Sequence, residues 1–374
     1  MSGTRTHKTY CRFCLGCCGI EVDVRDGEPV ALRGDASNPL TGGYTCLRGR
    51  ELLTMHTHPD RIRHALKRVD GRFVAVPLGQ ALDEIATKTG EILTRDGGRA
   101  IASYNGSWAW SNFPTLAVSK AFHRAIGSPS VFSPMTIDQP AKAFVPFRFG
   151  IWGGGMHSFS DADVAMFIGN NPLVSQYAAR GGLPVYNPWR RLQDALNAGL
   201  KLVVIDPRRS EVARRATLHL QPYPGEDPVL LAGMIRILLD EGWQDHAFCA
   251  RWVDEVPAFR AALEPFTPEY VARRAGVDAA LLREAARIFA TGRRGVAVTG
   301  TGPEMAPNGW LGEHLVFALN TLCGRYYRDG ESPRTAAPLQ APMPLREGVI
   351  FPPEPWGPRR EASRFRGLTQ LGDE

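Results

Sequence analysis

Long apolar runs are missing from this chain. The best of them, Val229 to Leu239, is broken by Arg236 and is too short to cross a bilayer, so no membrane insertion is expected. The first ten residues, Met1 to Tyr10, hold neither an apolar core segment nor a twin-arginine pair. They read as neither signal peptide nor anchor, and a cytoplasmic protein is the expectation. Cysteine is scarce beyond residue 50: five of the seven precede it, and Cys249 and Cys323 sit in helical patterns as small apolar residues. That distribution excludes a secreted disulfide framework. Internal repeats are absent, and so is any basic strip interleaved with aromatics. The net charge of +6 and the pI near 9.0 come from scattered arginines, which suit anionic small molecules at least as well as nucleic acid. No nucleic-acid partner is expected.

What is present is concentrated near the start. Cys11, Cys14, Cys18 and Cys46 follow the spacing C-x2-C-x3-C-x27-C. Three thiols from one tight loop and a fourth from a distant return can enclose a cubic cluster, which points to a [4Fe–4S] centre. The alternative is a four-cysteine zinc site, which normally shows two separated C-x2-4-C knuckles. Cys46 has no cysteine neighbour, so the second knuckle is missing. Cys17 is the spare, expected as a small loop residue beside the cluster.

The length of 374 residues predicts about two or three domains, and an apolar fraction of 44% supports sizeable cores. Residues 8–60 read as short strands and turns, with Asp26-Gly27 as a hairpin signal between two alternating segments. Leu78 to Leu93 and Pro114 to Ile126 have helical spacing, with short strands at Arg99–Tyr104 and Ser130–Ser133. Ala162–Gly169 and Leu200–Asp206 are buried-strand runs separated by a helix through Trp189, Leu192 and Leu196, as in a parallel crossover. Thr217–Gln221 and Gly295–Gly300 are further strands, with helices over Pro228–Glu241, roughly 245–291 and Trp310–Cys323. Residues 330–374, rich in proline, arginine and glycine, read as loop or unfinished domain. The fold class expected is α/β: a small β-rich domain followed by α/β domains, one with a doubly wound, Rossmann-like parallel sheet.

Ligands of an open α/β sheet bind beyond the carboxyl ends of its strands. Four loops occupy that position: Gly169-Asn170-Asn171-Pro172, Asp206-Pro207-Arg208-Arg209, Gly225-Glu226-Asp227 and Gly300-Thr301-Gly302. Glycine lets backbone N–H groups approach a phosphate, Arg208 and Arg209 can pair with pyrophosphate, and Asp206 can take hydroxyl or ring N–H groups. Together they suggest a dinucleotide-like ligand. Each loop alone is equally an ordinary turn.

These motifs carry a resemblance. Cys11-x2-Cys14-x3-Cys18, Asp26-Gly27, Arg33-Gly34-Asp35, Asn38-Pro39 and Cys46-x-Arg48-Gly49 resemble the opening domain of the molybdopterin oxidoreductases, the DMSO reductase superfamily. The match continues through His58-Pro59-Asp60-Arg61 and the loops Gly169–Pro172, Val204–Arg209 and Pro224–Asp227, over roughly residues 8–330. The resemblance implies a [4Fe–4S] cluster and a molybdopterin guanine dinucleotide with molybdenum or tungsten. Asp206 and Asp227 would then read guanosine, and Arg208 and the glycine loops would hold phosphate. Where the family usually has a lysine between cluster and pterin, this chain has Arg48, which keeps the charge. The position of the family's protein ligand to the metal falls on Asp138; the alternative is that Asp138 caps the turn before Pro140. The implied domains are 1–62 for the cluster, 63–150 with about 300–374 as an incomplete α/β domain, and 151–299 for the dinucleotide, with the family's C-terminal domain absent. Because the chain stops at Glu374, a fragment or a subunit completed by another polypeptide is expected. The implied activity couples two-electron chemistry on a small-molecule substrate to electron transfer through the cluster to a partner protein or subunit. The alternative is a non-catalytic iron–sulfur subunit of the same superfamily.

Overall fold

The computed structural model describes residues 3–14, 16–106, 113–134, 137–149, 159–176, 182–328 and 330. The chain divides into two units, Met1–Thr136 with Arg360–Glu374, and Ile137–Arg359. The expected loop at 330–374 lies outside the described residues, Gly330 excepted.

In the first unit, β1 (Arg5–Tyr10), β2 (Gly19–Arg25) and β3 (Glu28–Gly34) form an antiparallel sheet in that order. The β2–β3 turn is Asp26-Gly27, both at positive φ (54° and 81°). That is the geometry a two-residue hairpin needs to match strand twist, and it explains the Asp-Gly pair. Two short helices follow, α1 (Leu47–Arg50) and α2 (Leu52–Thr57). A second hairpin of β4 (Ala65–Val69) and β5 (Arg72–Val76) turns on Asp70-Gly71, again with both residues at positive φ. Helix α3 (Leu78–Asp96) leads to β6 (Ser103–Tyr104), which pairs in parallel with β7 (Val131–Phe132) across α4 (Phe113–Ile126).

The second unit begins with α5 (Pro140–Arg148). Its centre is a four-stranded sheet of β8 (Val164–Ile168), β9 (Lys201–Ile205), β10 (Leu218–Leu220) and β11 (Gly295–Thr299). The order is β10-β9-β8-β11 and every pairing is parallel. Helices α6 (Pro172–Ser175) and α7 (Pro188–Asn197) separate β8 from β9. Between β10 and β11 run α8 (Asp227–Asp240), α9 (His246–Trp252), α10 (Val256–Ala262), α11 (Pro268–Ala275) and α12 (Ala279–Thr291). After β11 come α13 (Gly302–Met305) and α14 (Gly309–Leu322).

The sheet strands are apolar throughout because both faces are covered. Alternate residues point to opposite faces, so Met166, Ile168, Val203 and Ile205 join α8, α11, α12 and α14 in one core. Ala165, Phe167, Leu202, Val204, Val296 and Val298 join Leu173 of α6 and Leu192 of α7 in the other. This is the α/β class expected, with a small antiparallel sheet preceding a doubly wound parallel one. Helix α14 packs on α5, α8 and β11. Chain order runs outward from β8 through β9 to β10 on one side and jumps to β11 on the other. The reversal lies between β8 and β11, where such sheets open a crevice at their carboxyl edge.

Candidate cofactor sites

The β1–β2 hairpin builds the cysteine loop. Cys11 follows β1 directly and Cys18 precedes β2, and the Cys11 N–H donates to the Cys18 carbonyl at 2.7 Å, extending the ladder by one rung. Both side chains are buried there. Cys14 lies within the loop, with the Gly16 N–H directed at its sulfur at 3.4 Å. Cys17 is exposed, at φ 41°.

Cys46 returns by a second set of contacts. The Asp35 N–H donates to the Gly19 carbonyl at 2.9 Å, and the Gly43 N–H donates to the Asp35 carbonyl at 2.9 Å. Gly34 has to be glycine, since a Cβ there would overlap the Gly43 carbonyl. The Asp35 carboxylate accepts from Ser37 and Lys8, fixing the loop from its other side. Cys46 then stands at the N-cap of α1, its sulfur close to the first free N–H groups of that helix. Burial acts to raise its pKa, but the N–H groups of Gly49 and Arg48 and the Arg48 guanidinium outweigh it and hold the thiol below its ordinary value. Cys18 behaves oppositely: burial first, then the charges of Cys14, Cys11 and Cys46, push it up to about 11. Cys11 is likewise raised by burial, partly offset by the Phe13 N–H, with smaller contributions from Cys14, Cys46 and Cys17.

The four predicted thiols are therefore close enough to repel one another as thiolates, the condition under which a bound cationic core is most strongly favoured. The lining fits such a group. A Cβ on Gly49 would meet Thr45 Oγ1 and Cys11 Sγ, and Thr45 Oγ1 is buried without a partner. Among the described residues, no three His, Cys, Asp or Glu side chains converge as a single-ion site requires. Arg48 also lies over the Phe13 ring, 5.6 Å from its centroid. Tyr44, which sequence reasoning missed, is pushed up to about 12 by burial and by the Cys46, Cys18 and Cys14 charges. Its place next to Thr45-Cys46 was the available signal.

In the second unit, all four predicted loops sit at the carboxyl ends of the parallel strands. Gly169 ends β8 at φ 54°, its N–H donating to the Ile205 carbonyl at 2.7 Å, and a Cβ there would strike Pro303. A Cβ on Gly300 would in turn overlap the Gly169 carbonyl, so the loops after β8 and β11 touch at the reversal point. Gly302 faces open space. Asn170 is buried; Asn171 donates to Glu211 at 2.6 Å, while its Oδ1 is buried and unpartnered. Pro172 starts α6.

Asp206 accepts the Arg208 N–H at 2.8 Å, which closes the turn after β9. Arg208 pairs with Glu211 at 3.3 Å and, like Arg209, is exposed. Gly225, at φ 88°, leads into Asp227 at the start of α8. Asp227 is only 6% exposed. Burial raises its pKa to about 6; its own backbone N–H opposes this, while the Asp206 and Glu226 charges add to it. Asp206 and Asp227 are thus brought together as the sequence suggested. These features fit a nucleotide: an orphaned amide oxygen, open backbone at Gly302, exposed arginines and a buried carboxylate, Asp227, beside Asp206.

Asp138 is half-buried at the foot of α5. Its side chain accepts from the Gln139 amide at 3.3 Å, and Gln139, the N-cap residue of α5, makes no side-chain cap bond. Lys142, Glu304 and Glu313 form a buried polar group behind the Gly300–Gly302 loop. Nothing periodic in the sequence marks them.

The Fe4S4-domain model of the molybdopterin oxidoreductases matches residues 4–58, and the molybdopterin oxidoreductase model matches residues 61–339, well over half of the chain. The chain belongs to the molybdopterin oxidoreductase family. Its cofactors are a [4Fe–4S] cluster and a molybdopterin carrying molybdenum or tungsten. It is 29% identical over 345 residues to the nitrate reductase of Symbiobacterium thermophilum, covering 88% of this chain and 45% of that protein. It is also 29% identical over 289 residues to the acetylene hydratase of Syntrophotalea acetylenica, covering 75% of this chain and 38% of that one. The solved acetylene hydratase from Pelobacter acetylenicus superposes with a TM-score of 0.71 at 25% identity, over 85% of this chain and 43% of that structure. The chain thus spans less than half the length of these molybdopterin oxidoreductase relatives. No helix among the described residues is long and apolar enough to cross a membrane.

Proposed function

We propose that the chain holds its cluster through Cys11, Cys14, Cys18 and Cys46 and binds the pterin as a guanine dinucleotide along the carboxyl edge of the second unit's sheet. It acts as an oxidoreductase on a small molecule and exchanges electrons with a protein partner. The observation that carries this reading is the gathering of four ligand-type loops at one sheet edge with Asp206 beside a buried Asp227. A buried carboxylate such as Asp227, with Asp206 beside it, is suited to the ring N–H and amino donors of guanine, since each donor offsets part of the burial cost. Arg208 and Arg209 supply charge for the pyrophosphate, Gly302 leaves open space for its approach to the backbone, and Gly169 and Gly300, whose N–H groups bond the Ile205 and Ile168 carbonyls, let the two loops pack closely beside it. Asn170, Asn171 and Pro172 shape the first of these loops. Arg48 lowers the charge burden of the cluster thiolates, and Asp138 is assigned as the hard carboxylate ligand to the metal.

The bound metal-pterin supplies two-electron chemistry and the cluster supplies single-electron passage. The protein's share is to orient both and to set their potentials. Residues 1–62 form the cluster domain in this reading and 151–299 the dinucleotide domain; 63–150 and about 300–374 contribute to a third. The names of the relatives, which include nitrate, thiosulfate and formate enzymes and an acetylene hydratase, support a small substrate without selecting one. A cytoplasmic location is part of the reading, and cell fractionation tests it.

The test is metal and nucleotide analysis of the anaerobically purified protein in its full-length context. Iron, molybdenum or tungsten, and GMP released on acid hydrolysis are expected together. Iron alone would replace this reading with that of a non-catalytic iron–sulfur subunit.

A further inference from the structure

Helix α5 begins without a cap of its own. Pro140 occupies its first turn, and Gln139, in the left-handed region at φ 59°, makes no side-chain cap bond. The N–H groups of the first turn need acceptors from elsewhere. They find one carboxylate far along the chain: Glu304 Oε1 accepts from the Ala141 N–H in a short bond and from the Lys142 N–H at 3.3 Å. Glu304 Oε2 takes the Lys142 ammonium at 3.0 Å, and the same ammonium donates to the Gly300 carbonyl at 2.7 Å. The Glu304 side chain is 1% exposed and that of Lys142 15%. Beside them Glu313, also buried, accepts from Thr299 Oγ1 at 2.6 Å. Burial raises the pKa of Glu313, opposed by Lys142 and Thr299 and reinforced by the Glu304 charge.

This arrangement ties the start of α5 to the loop that follows β11. Asp138 and Gln139 form the turn into α5, and Gly300 to Gly302 form the loop at the strand-order reversal. Gln139 Oε1 is buried without a partner and its Nε2 reaches only as far as Asp138 Oδ1, at 3.3 Å, so the bonds that join the turn's helix to the loop after β11 are those of Glu304 and Lys142. Charge-assisted bonds to backbone amides are short and strong, and a buried pair that loses one member leaves an uncompensated charge.

We propose that Glu304 and Lys142 are positioning residues that clamp the Asp138–Gln139 turn to the Gly300–Gly302 loop and so set where Asp138 stands at the crevice. The proposal rests on the assignment of Asp138 as metal ligand made above. Two readouts on the cofactor-loaded protein in its full-length context test it, with cluster EPR and GMP content as controls for an intact fold. The first is amide exchange at Ala141 and Lys142, where Glu304→Ala should speed exchange by about tenfold or more, the factor a bond to a charged acceptor carries. The second is the EPR spectrum of the metal centre, which should shift in Glu304→Ala and shift less in Glu304→Gln, since glutamine keeps an acceptor for the amides. Lys142→Met, which keeps the backbone bonds to Glu304 Oε1 but removes the ammonium from both Glu304 Oε2 and the Gly300 carbonyl, should keep slow exchange and still shift the metal spectrum. That variant decides the matter if Glu304→Ala does not fold. Unchanged exchange in Glu304→Ala overturns the clamp. Faster exchange with an unshifted metal spectrum, or an unshifted spectrum in Lys142→Met, overturns the positioning role. An Asp138→Ala spectrum identical to the parent's would sink the ligand assignment instead, leaving the exchange result to judge the clamp alone.

Discussion

Replacing Asp227 by asparagine should make the cofactor-free protein more stable, and more so as pH rises. The carboxyl has an ordinary pKa of 3.8 and is raised to about 6 in the fold, chiefly because it is buried, with Asp206 and Glu226 adding repulsion. Below pH 3.8 both folded and unfolded chains carry the proton, and the group contributes nothing to the balance. Between that value and about 6 the folded state alone keeps the proton, so stability falls as pH rises. Above about 6 the whole cost is present. The shift corresponds to about 3 kcal/mol, with about half of it felt near pH 5. Asparagine has no charge to bury and keeps an oxygen for the backbone N–H. Denaturant unfolding of cofactor-free Asp227→Asn and parent protein, near pH 5 and near pH 7.5, reads the difference. A gain that is absent, or equal at the two pH values, would refute the reasoning. The same residue should matter oppositely to the ligand: released GMP per chain should drop, because asparagine presents one donor and one acceptor where two donors seek acceptors.

Cys46→Ala should abolish the cluster's visible absorbance, whereas Cys17→Ala should retain it; loss with Cys17→Ala and survival with Cys18→Ala would exchange the third ligand. Asp138→Ala should alter the metal-centre EPR spectrum with the cluster signal intact. Phe167→Ala, in the middle of the sheet and fully buried, should cost about 3–5 kcal/mol in denaturant unfolding; a cost below about 1 kcal/mol would mean that the sheet core tolerates the cavity.

The parts of the fold that could be read in advance are those whose local chemistry and tertiary role agree. Asp26-Gly27 has only one comfortable use between alternating strands, and the runs at Ala162–Gly169 and Leu200–Asp206 are too apolar for any exposed face. Asp70-Gly71 carries the same signal as the first pair, and its hairpin was legible but went unread beside the surrounding arginines and lysines. The strand expected over Arg99–Tyr104 shrinks to Ser103–Tyr104 because Gly98–Ala100 closes a 3-10 turn. At the sites, residue type told which side chains bear ligand chemistry, and chain order told which strand ends they occupy. Neither can reveal a partner more than 160 residues away, which is why the Glu304 cap of α5 was invisible. Pro140 and Pro146 hid that helix as well, since proline is read first as a breaker.

The route by which Cys46 reaches the hairpin has a mechanical side. In the ligation proposed above, three of the cluster's ligands lie within eight residues, while the fourth is separated from Cys18 by a stretch of 27. Once metallated, such a cluster acts as a cross-link, and closing a loop of that length removes roughly 3–4 kcal/mol of unfolded-chain entropy. Oxidative loss of iron would therefore release a staple as well as a redox group. The segment from Asp35 to Arg50 would then keep the Asp35 bond to Gly19, the Lys8 contact, the packing of Gly34 on Gly43 and the stacking of Arg48 on Phe13, but lose its covalent tie, and it is where the first unit should begin to open.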